Sequence, residues 1–476
     1  MLSNDKHINI KGLEHVYFLG IGGIGMSALA RYFNLLGIKV SGYDRTETPL
    51  TRNLSSEGMV IHFDENPSLI PADTQLVVYT PAIPESHSEW SVIRKLEVPV
   101  MKRAEVLGLI SRNFRTIAVA GTHGKTSTSS MTSYFLRSGG EPVSGFLGGI
   151  VKDYDSNFVF GSSDWVVVEA DEFDRSFMHL TPEIAVLLSL DADHLDIYGD
   201  HQEMLKTFRD FTLQIKNGGT LLVCQDIVAM IDKDWKSELL QKGINIFSFG
   251  VDEGWFSAQN VKVINHRFEF DFYEGDEDIM HAGLSMPGKH NTSNAIAALS
   301  VAKLVGADME ALVAGVDSFQ GIDRRFDFQY TSDKLVYVDD YAHHPSELKA
   351  AIGAARVLYP SRKLTVIFQP HLYSRTRDFI EEFAQVLSTV DELILMDIYP
   401  ARELPLEGVN SQWLLSKVTL ENSYILNEAE VISWVEVNLD SLEVLMTLGA
   451  GNIDRIVKPI KEIILEGYSE PKATSV

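Results

Sequence analysis

Residues 116–131 read TIAVAGTHGKTSTSSM: a β-branched and apolar run breaks into a glycine-rich turn, then a lysine, a threonine and a series of small hydroxyl residues. That order specifies a buried strand, a tight turn and a helix start, the repeating unit of a mostly parallel α/β sheet. It also has the chemistry of a polyphosphate site. Gly121 and Gly124 let backbone N–H groups come close to phosphate oxygens, Lys125 neutralises them, and the Thr126 hydroxyl suits Mg²⁺. The helix start adds its partial positive charge. Thr122, His123 and Ser127 complete the cradle, so residues 121–127 are expected to hold ATP. The full phosphate-loop spacing would put a glycine at Val119, so this is a shortened variant.

The rest of the chain repeats the theme. HVYFLG, IKVSGYD, QLVVYT and VPVMK read as strands of a first doubly wound sheet, with apolar positions from Met26 to Leu36 at helical spacing between the first two. WVVVEAD and EIAVLLSLD are unpatterned apolar runs, as parallel strands covered on both faces should be. The stretch from Val261 to His281 alternates and reads as edge hairpins, and a helix is expected through GKHNTSNAIAALSVAKLVG. From about Gly321 the pattern recurs in KLVYVDD, KLTVIFQ and EVLMTLG, each followed by a polar loop and a helix. The predicted fold is α/β in three domains. Residues 1–112 form a Rossmann-like sheet, 113–321 a central ATPase-type mostly parallel sheet, and 322–476 a C-terminal Rossmann-like sheet.

The chemistry-bearing clusters all follow strand-like runs, at the carboxyl ends where open α/β sheets bind ligands. GIGGIG (Gly20–Gly25) lies between a strand and a helix, with Asp44 closing the next strand. Taken alone it suggests a dinucleotide, although its mechanics serve any diphosphate on a helix N-terminus. VVVEADEFD places Glu169 where a carboxylate completes a Mg²⁺ shell shared with phosphate. Its neighbours Asp171, Glu172 and Asp174 are expected to face water or cap the next helix. SLDADHLDIYG adds His194 among acids, pointing to a second divalent ion. PGKHNTSNAIAA offers His290, Asn291 and Asn294 for an adenine edge, with N-capping by Asn291 the competing reading. Arg324 and Arg325 suit a γ-phosphate or a surface ion pair. VDDYAHHPSE concentrates Tyr341 and His343 among acids, and FQPHLYSRTRD supplies Arg375 for a carboxylate.

Composition narrows the partners. A formal charge of −25 argues against nucleic acid and against a polybasic membrane contact, so anionic substrates need local cations. The first residues are polar, no run has the length of a membrane span, and the single cysteine, Cys224, fits a reducing compartment. The expected location is the cytoplasm, as a monomer or weak homodimer. No G-x-S-x-G, HExxH or paired CxxC pattern is present.

Seven of these motifs, AGTHGKTSTSSM, EADEFD, DADHLDIYG, GKHNTSNAIAA, DRRFD, VDDYAHHPSE and FQPHLYSRTRD, occur in the order seen in the Mur ligases, and the opening FLGIGGIGMSALA and SGYD extend the resemblance over nearly the whole chain. The resemblance implies ATP-dependent amide ligation: a muramyl carboxylate attacks the γ-phosphate, and an amino group then displaces phosphate from the acyl phosphate. It implies UDP-N-acetylmuramate as acceptor and L-alanine as the amino acid, in the step that begins the peptidoglycan stem peptide. The alternative is the branch that attaches a murein tripeptide to the same acceptor. By the same resemblance, Gly22, Gly23, Ile24, Gly25, Met26 and Ser27 cradle the UDP diphosphate, and Asp44, Thr80 and Ala82 lie near the uridine or sugar. Lys125 serves the β/γ-phosphates, Thr126 and Glu169 hold one Mg²⁺ and His194 a second. His290, Asn291 and Asn294 lie at the adenine, Arg325 near the phosphates, and Tyr341 and His343 by the acyl phosphate and amine. Arg375 takes the amino-acid carboxylate, more so because Leu372 stands where the family pattern FQPHRY has arginine.

Overall fold

The computed structural model describes residues 10–192, 198–401 and 403–468. Three sheets carry the chain. The first has five parallel strands, β1 (His15–Leu19), β2 (Lys39–Tyr43), β3 (Val60–His62), β4 (Leu76–Tyr79) and β5 (Val100–Lys102), in the order 3-2-1-4-5. β1 is buried along its whole length, as the central strand of a sheet covered on both faces must be.

The second sheet is ten-stranded. Its members are β6 (Arg115–Ala120), β7 (Ser144–Val151), β8 (Ser156–Val159), β9 (Trp165–Glu169), β10 (Ile184–Leu187), β11 (Thr220–Cys224), β12 (Asn245–Val251), β13 (Phe256–Ile264), β14 (Arg267–Glu274) and β15 (Glu277–Leu284), in the order 15-14-13-12-11-10-6-9-7-8. β6 sits between β9 and β10, parallel to both. The phosphate-type turn after it is thereby flanked by the ends of two further strands. The alternating stretch Val261 to His281 falls on β13, β14 and β15, joined by two-residue connections at the sheet's edge.

The third sheet contains β16 (Asp327–Thr331), β17 (Val336–Asp340), β18 (Leu364–Phe368), β19 (Glu392–Leu395), β20 (Ser423–Ile425) and β21 (Val444–Leu448), in the order 16-17-21-18-19-20. Only β16 runs antiparallel to its neighbour. Arg325, Tyr341, His371 and Gly449 all lie near the carboxyl end of this sheet or in the turns that leave it.

By compactness the residues divide into two units. One comprises 1–261, 269–283 and 293–320, the other 262–268, 284–292 and 321–476. Within the first unit, the first sheet is locked to the second. The helix Ile24–Leu35 packs Tyr32 against Phe146 of β7 and Phe158 of β8, with ring centroids 5.6 and 6.0 Å away. Fully buried Asn157 bridges the joint, accepting from Arg31 and donating to Ser27 Oγ at 2.9 Å and to the Ile24 carbonyl. A buried carboxamide on β8 whose three partners all lie on this one helix fixes strand and helix relative to each other, because separating them would leave polar groups unpaired. Among the described residues no helix is long and apolar enough to cross a membrane.

Candidate active site

The turn after β6 is built around two backbone constraints. Gly121 has φ +139° and Gly124 has φ +82°, both in the left-handed range that costs a side chain dearly. Space is short as well: a Cβ on Gly121 would stand 2.9 Å from the Ser189 nitrogen, and one on Gly124 would stand 2.8 Å from Asn294 Oδ1. Gly124 is the N-cap of the helix Lys125–Ser138 and supplies no side chain, so the first-turn N–H groups are left for a ligand. Ser189, just past β10, holds the turn by accepting from the His123 amide at 2.8 Å and meeting Thr122 Oγ1 at 2.9 Å. The early hydroxyls of the helix, Thr126 and Ser127, are buried.

The Lys125 ammonium folds back into this turn. It donates to the Gly121 carbonyl at 2.7 Å and pairs with Glu172 at 2.8 Å, with only 13% of the lysine side chain exposed and 1% of the glutamate. Burial alone would pull the lysine down, but Glu172, Asp171 and Glu169 outweigh it and hold the ammonium above its ordinary range. Burial pushes Glu172 up to about 7, against the pull of Lys125. This corrects the expectation that Glu172 faces water or caps a helix. After β9 the chain turns through Asp174 and Arg175 at positive φ, and Tyr198 donates to the Glu172 carbonyl at 2.6 Å, so the glutamate is directed inward. Asp171 and Asp174 instead meet Arg103 at 3.3 Å and Lys102 at 3.0 Å.

Glu169 closes β9 beside Gly148 of β7, where any side chain would collide with the Glu169 carboxylate. The donors present, a threonine hydroxyl and one carboxylate at a phosphate turn, fit Mg²⁺, which takes hard oxygen ligands and keeps most of its shell for phosphate and water. Among the described residues no group of three or more His, Cys, Asp or Glu is arranged to hold a metal by itself. His194 lies outside the described residues.

In the first sheet, the Gly22 amide donates to Asp44 Oδ2 at 2.7 Å, and Gly20 turns at φ +93° against Thr80. Thr80 Oγ1 accepts from the Ala82 amide at 3.4 Å. Gly23 is the N-cap of the helix Ile24–Leu35 and again provides no side-chain cap. Met26 and Ser27 are buried, with Ser27 tied to Ile24 and Asn157, so Gly22 to Gly25 form the open part of that turn. Asp44 therefore sits at the glycine turn itself.

The second compact unit gathers another group. Tyr341 lies 5.0 Å beneath the Arg325 guanidinium and 5.4 Å from the His343 ring, and His343 is 5.6 Å from His371. His343 Nδ1 lies 3.0 Å from the Tyr341 carbonyl and 3.1 Å from Glu347, which also accepts from the His343 amide. Asp340 accepts from the Phe326 and Ala342 amides, both at 2.7 Å; burial still pushes it up to about 6, with Arg325 opposing. His371 is pushed down to about 3 by burial, with the His343 and Arg375 charges adding to the effect. Arg375 is buried in the helix Tyr373–Asp378, whose N-cap Leu372 has φ +71°, and Ser374 there is held by Glu403. Arg324 is structural: it bonds Asp339 at 3.2 Å and the Gly449 carbonyl at 2.6 Å.

The helix Lys289–Val305 carries the remaining three expected residues. His290 is exposed and Asn291 buried; the Asn291 side-chain Nδ2 donates to the Pro287 carbonyl at 2.8 Å, and because the helix begins at Lys289 the residue lies within its first turn and is not its N-cap. Asn294, in the first unit, is buried with its carboxamide over Gly124, at the phosphate turn. Arg103 and Glu403 were not expected from the sequence, and Glu172, expected to face outward, turns inward. For Arg103 a signal existed, since it leaves the carboxyl end of β5 as the other site residues leave their strands.

Sequence profiles of the Mur ligase family match three successive stretches: the domain described as the family's catalytic domain at 15–115, the middle domain at 119–302 and the glutamate ligase domain at 324–451. A relative from Flavobacterium johnsoniae, named UDP-N-acetylmuramate–L-alanine ligase, is 46% identical over 96% of this chain and 100% of its own. The chain belongs to the Mur ligase family. Among solved structures, the UDP-N-acetylmuramate–alanine ligase of Thermotoga maritima superposes with a TM-score of 0.78 at 24% identity, covering 95% of this chain and 99% of that one. A murein peptide ligase from Psychrobacter arcticus gives 0.71 at 22% identity, covering 96% and 100%. At those identities the two structures bear on the fold, which is the three-sheet α/β architecture of Mur ligases.

Proposed function

We propose that this Mur ligase joins L-alanine to the carboxylate of UDP-N-acetylmuramate at the expense of ATP, through an acyl phosphate. The observation that carries the reading is the near full-length 46% identity to the alanine-adding relative, together with a phosphate turn that already holds a buried ammonium. Both steps shift negative charge among oxygens, so fixed cations and N–H groups supply most of the catalysis. Lys125 meets the β/γ-phosphates when they displace Glu172, and the N–H groups of the turn 121–127 wrap them. Thr126 and Glu169 would hold Mg²⁺, which screens the phosphate charge when bound; a second ion at His194 is part of the same proposal. Asn294 stands over the turn, with His290 and Asn291 assigned to the adenine by the family correspondence.

In the first sheet, Gly22 to Gly25 receive the UDP diphosphate with the buried Met26 and Ser27 behind them, and Asp44, Thr80 and Ala82 lie toward the uridine or sugar. In the third, Arg325 supports the transferring phosphoryl group, Tyr341 and His343 serve the acyl phosphate and incoming amine, and Arg375 holds the alanine carboxylate. Glu347 fixes His343 from behind. The modules 1–112, 113–321 and 322–476, a cytoplasmic location and a monomeric or weakly dimeric state complete the reading. The test is phosphate release from ATP with UDP-N-acetylmuramate and either L-alanine or murein tripeptide. Turnover with alanine is expected, and turnover with tripeptide alone would reassign the protein to the recycling branch.

A further inference from the structure

Arg103 stands where two anion sites of the first unit come together. It opens the helix Arg103–Ser111 at the carboxyl end of β5, and its side chain lies across the glycine turn of the first sheet. A Cβ on Gly25 would be 2.9 Å from both Arg103 Cδ and Nη1, so glycine at 25 is what admits the guanidinium. On its other side, Nη2 meets Asp171 Oδ2 at 3.3 Å. That aspartate lies between Glu169 and Glu172, and its charge acts on Lys125. The ion pair is a single contact with 22% of the arginine side chain and 36% of the aspartate exposed, the kind that is held weakly and exchanges readily. A diphosphate offers the same guanidinium two oxygens and a larger charge, and bidentate arginine contacts to such groups are the strong ones. Its neighbour Lys102 makes a separate pair with Asp174 at 3.0 Å, which holds the loop independently.

We infer that Arg103 is an exchangeable counter-ion: in the ligand-free enzyme it neutralises Asp171, and the diphosphate of the sugar nucleotide takes it over. The inference rests on the first sheet's glycine turn holding the diphosphate of UDP-N-acetylmuramate.

The two partners predict opposite signs. Calorimetry on the full-length protein with UDP as the probe should show Arg103→Ala weakening binding ten- to a hundredfold, while Asp171→Asn tightens it several-fold by removing the competitor. UMP, lacking the second phosphate, should show a smaller loss with Arg103→Ala, and Lys102→Ala should leave UDP affinity within about twofold. A merely structural ion pair would make both charge deletions act in the same direction, and that result overturns the inference. So does an unchanged UDP affinity in Arg103→Ala, or an equal loss in Lys102→Ala. Failure of the wild-type protein to bind UDP at all would instead remove the diphosphate site and the inference with it.

Discussion

Replacing Glu172 by glutamine tests the phosphate turn most sharply, because it separates what the empty site needs from what the loaded site needs. The Lys125 side chain is 13% exposed and its nearest counter-charge is 2.8 Å away. At that distance and an effective dielectric near 20, the direct attraction is roughly 6 kcal/mol before desolvation is charged against it. Removing one partner of a buried pair typically costs about 3–5 kcal/mol. Two carbonyls, Gly121 and Thr122, and the charges of Asp171 and Glu169 remain to hold the lysine, which brings the expected loss to about 2–3 kcal/mol. At about 2 °C per kcal/mol for a large domain, the ligand-free melting temperature should fall by roughly 5 °C. Magnesium–ATP reverses the balance. If, as proposed, its phosphates replace Glu172 as the counter-charge, the variant has no competing carboxylate to displace and should bind a non-hydrolysable analogue about tenfold more tightly, a gain of ~1.4 kcal/mol. Differential scanning with and without the analogue, paired with calorimetry, reads both quantities. An analogue affinity unchanged or weakened in the variant, with the same melting deficit in both states, would refute the idea that Glu172 and phosphate compete for one ammonium.

Three further outcomes follow from the geometry. Gly124→Ala places a Cβ at φ +82° and 2.8 Å from Asn294 Oδ1, at a cost of about 1–2 kcal/mol for the backbone alone; analogue affinity measured by calorimetry should drop at least tenfold, while UDP binding stays the same. His371, pushed down to about 3, is expected to remain neutral throughout pH 5–9, so its ring resonances in a labelled sample should not titrate in that window; a midpoint near 6.5 would contradict the burial described for it. Arg375→Lys keeps the charge but loses the planar fork, and should raise the alanine KM by ten- to a hundredfold with the ATP KM within about twofold in steady-state assays.

The parts that could be read from sequence are those in which local pattern and chemistry coincide. The run from Thr116 to Ala120 is buried because its strand lies between two others, and Gly121, Gly124 and Lys125 sit where the turn chemistry demands. The helix from Lys289 and the edge strands between Val261 and His281 were equally visible, since each follows its own periodicity. Glu172 was not, because a row of four acids after a strand does not show which one turns inward. That choice is made by the positive φ angles at Asp174 and Arg175 and by Tyr198, which lies 26 residues beyond Glu172. Short strands such as Val60–His62 and Ser423–Ile425 lacked enough residues to show a period. Glu403 and Ser374 are 29 residues apart, and Arg103 and Asp171 are 68 apart, so only the folded chain reveals those partners.

On the proposed reading, the phosphate turn around Lys125 activates a muramyl carboxylate as an acyl phosphate for capture by alanine. Carrying out a single turnover with UDP-N-acetylmuramate labelled with ¹⁸O in its carboxylate, alanine and ATP, and then determining the mass of the released phosphate, addresses it directly. One labelled oxygen should pass into inorganic phosphate, with ADP as the other nucleotide product. Unlabelled phosphate, or label recovered in AMP, would contradict the account.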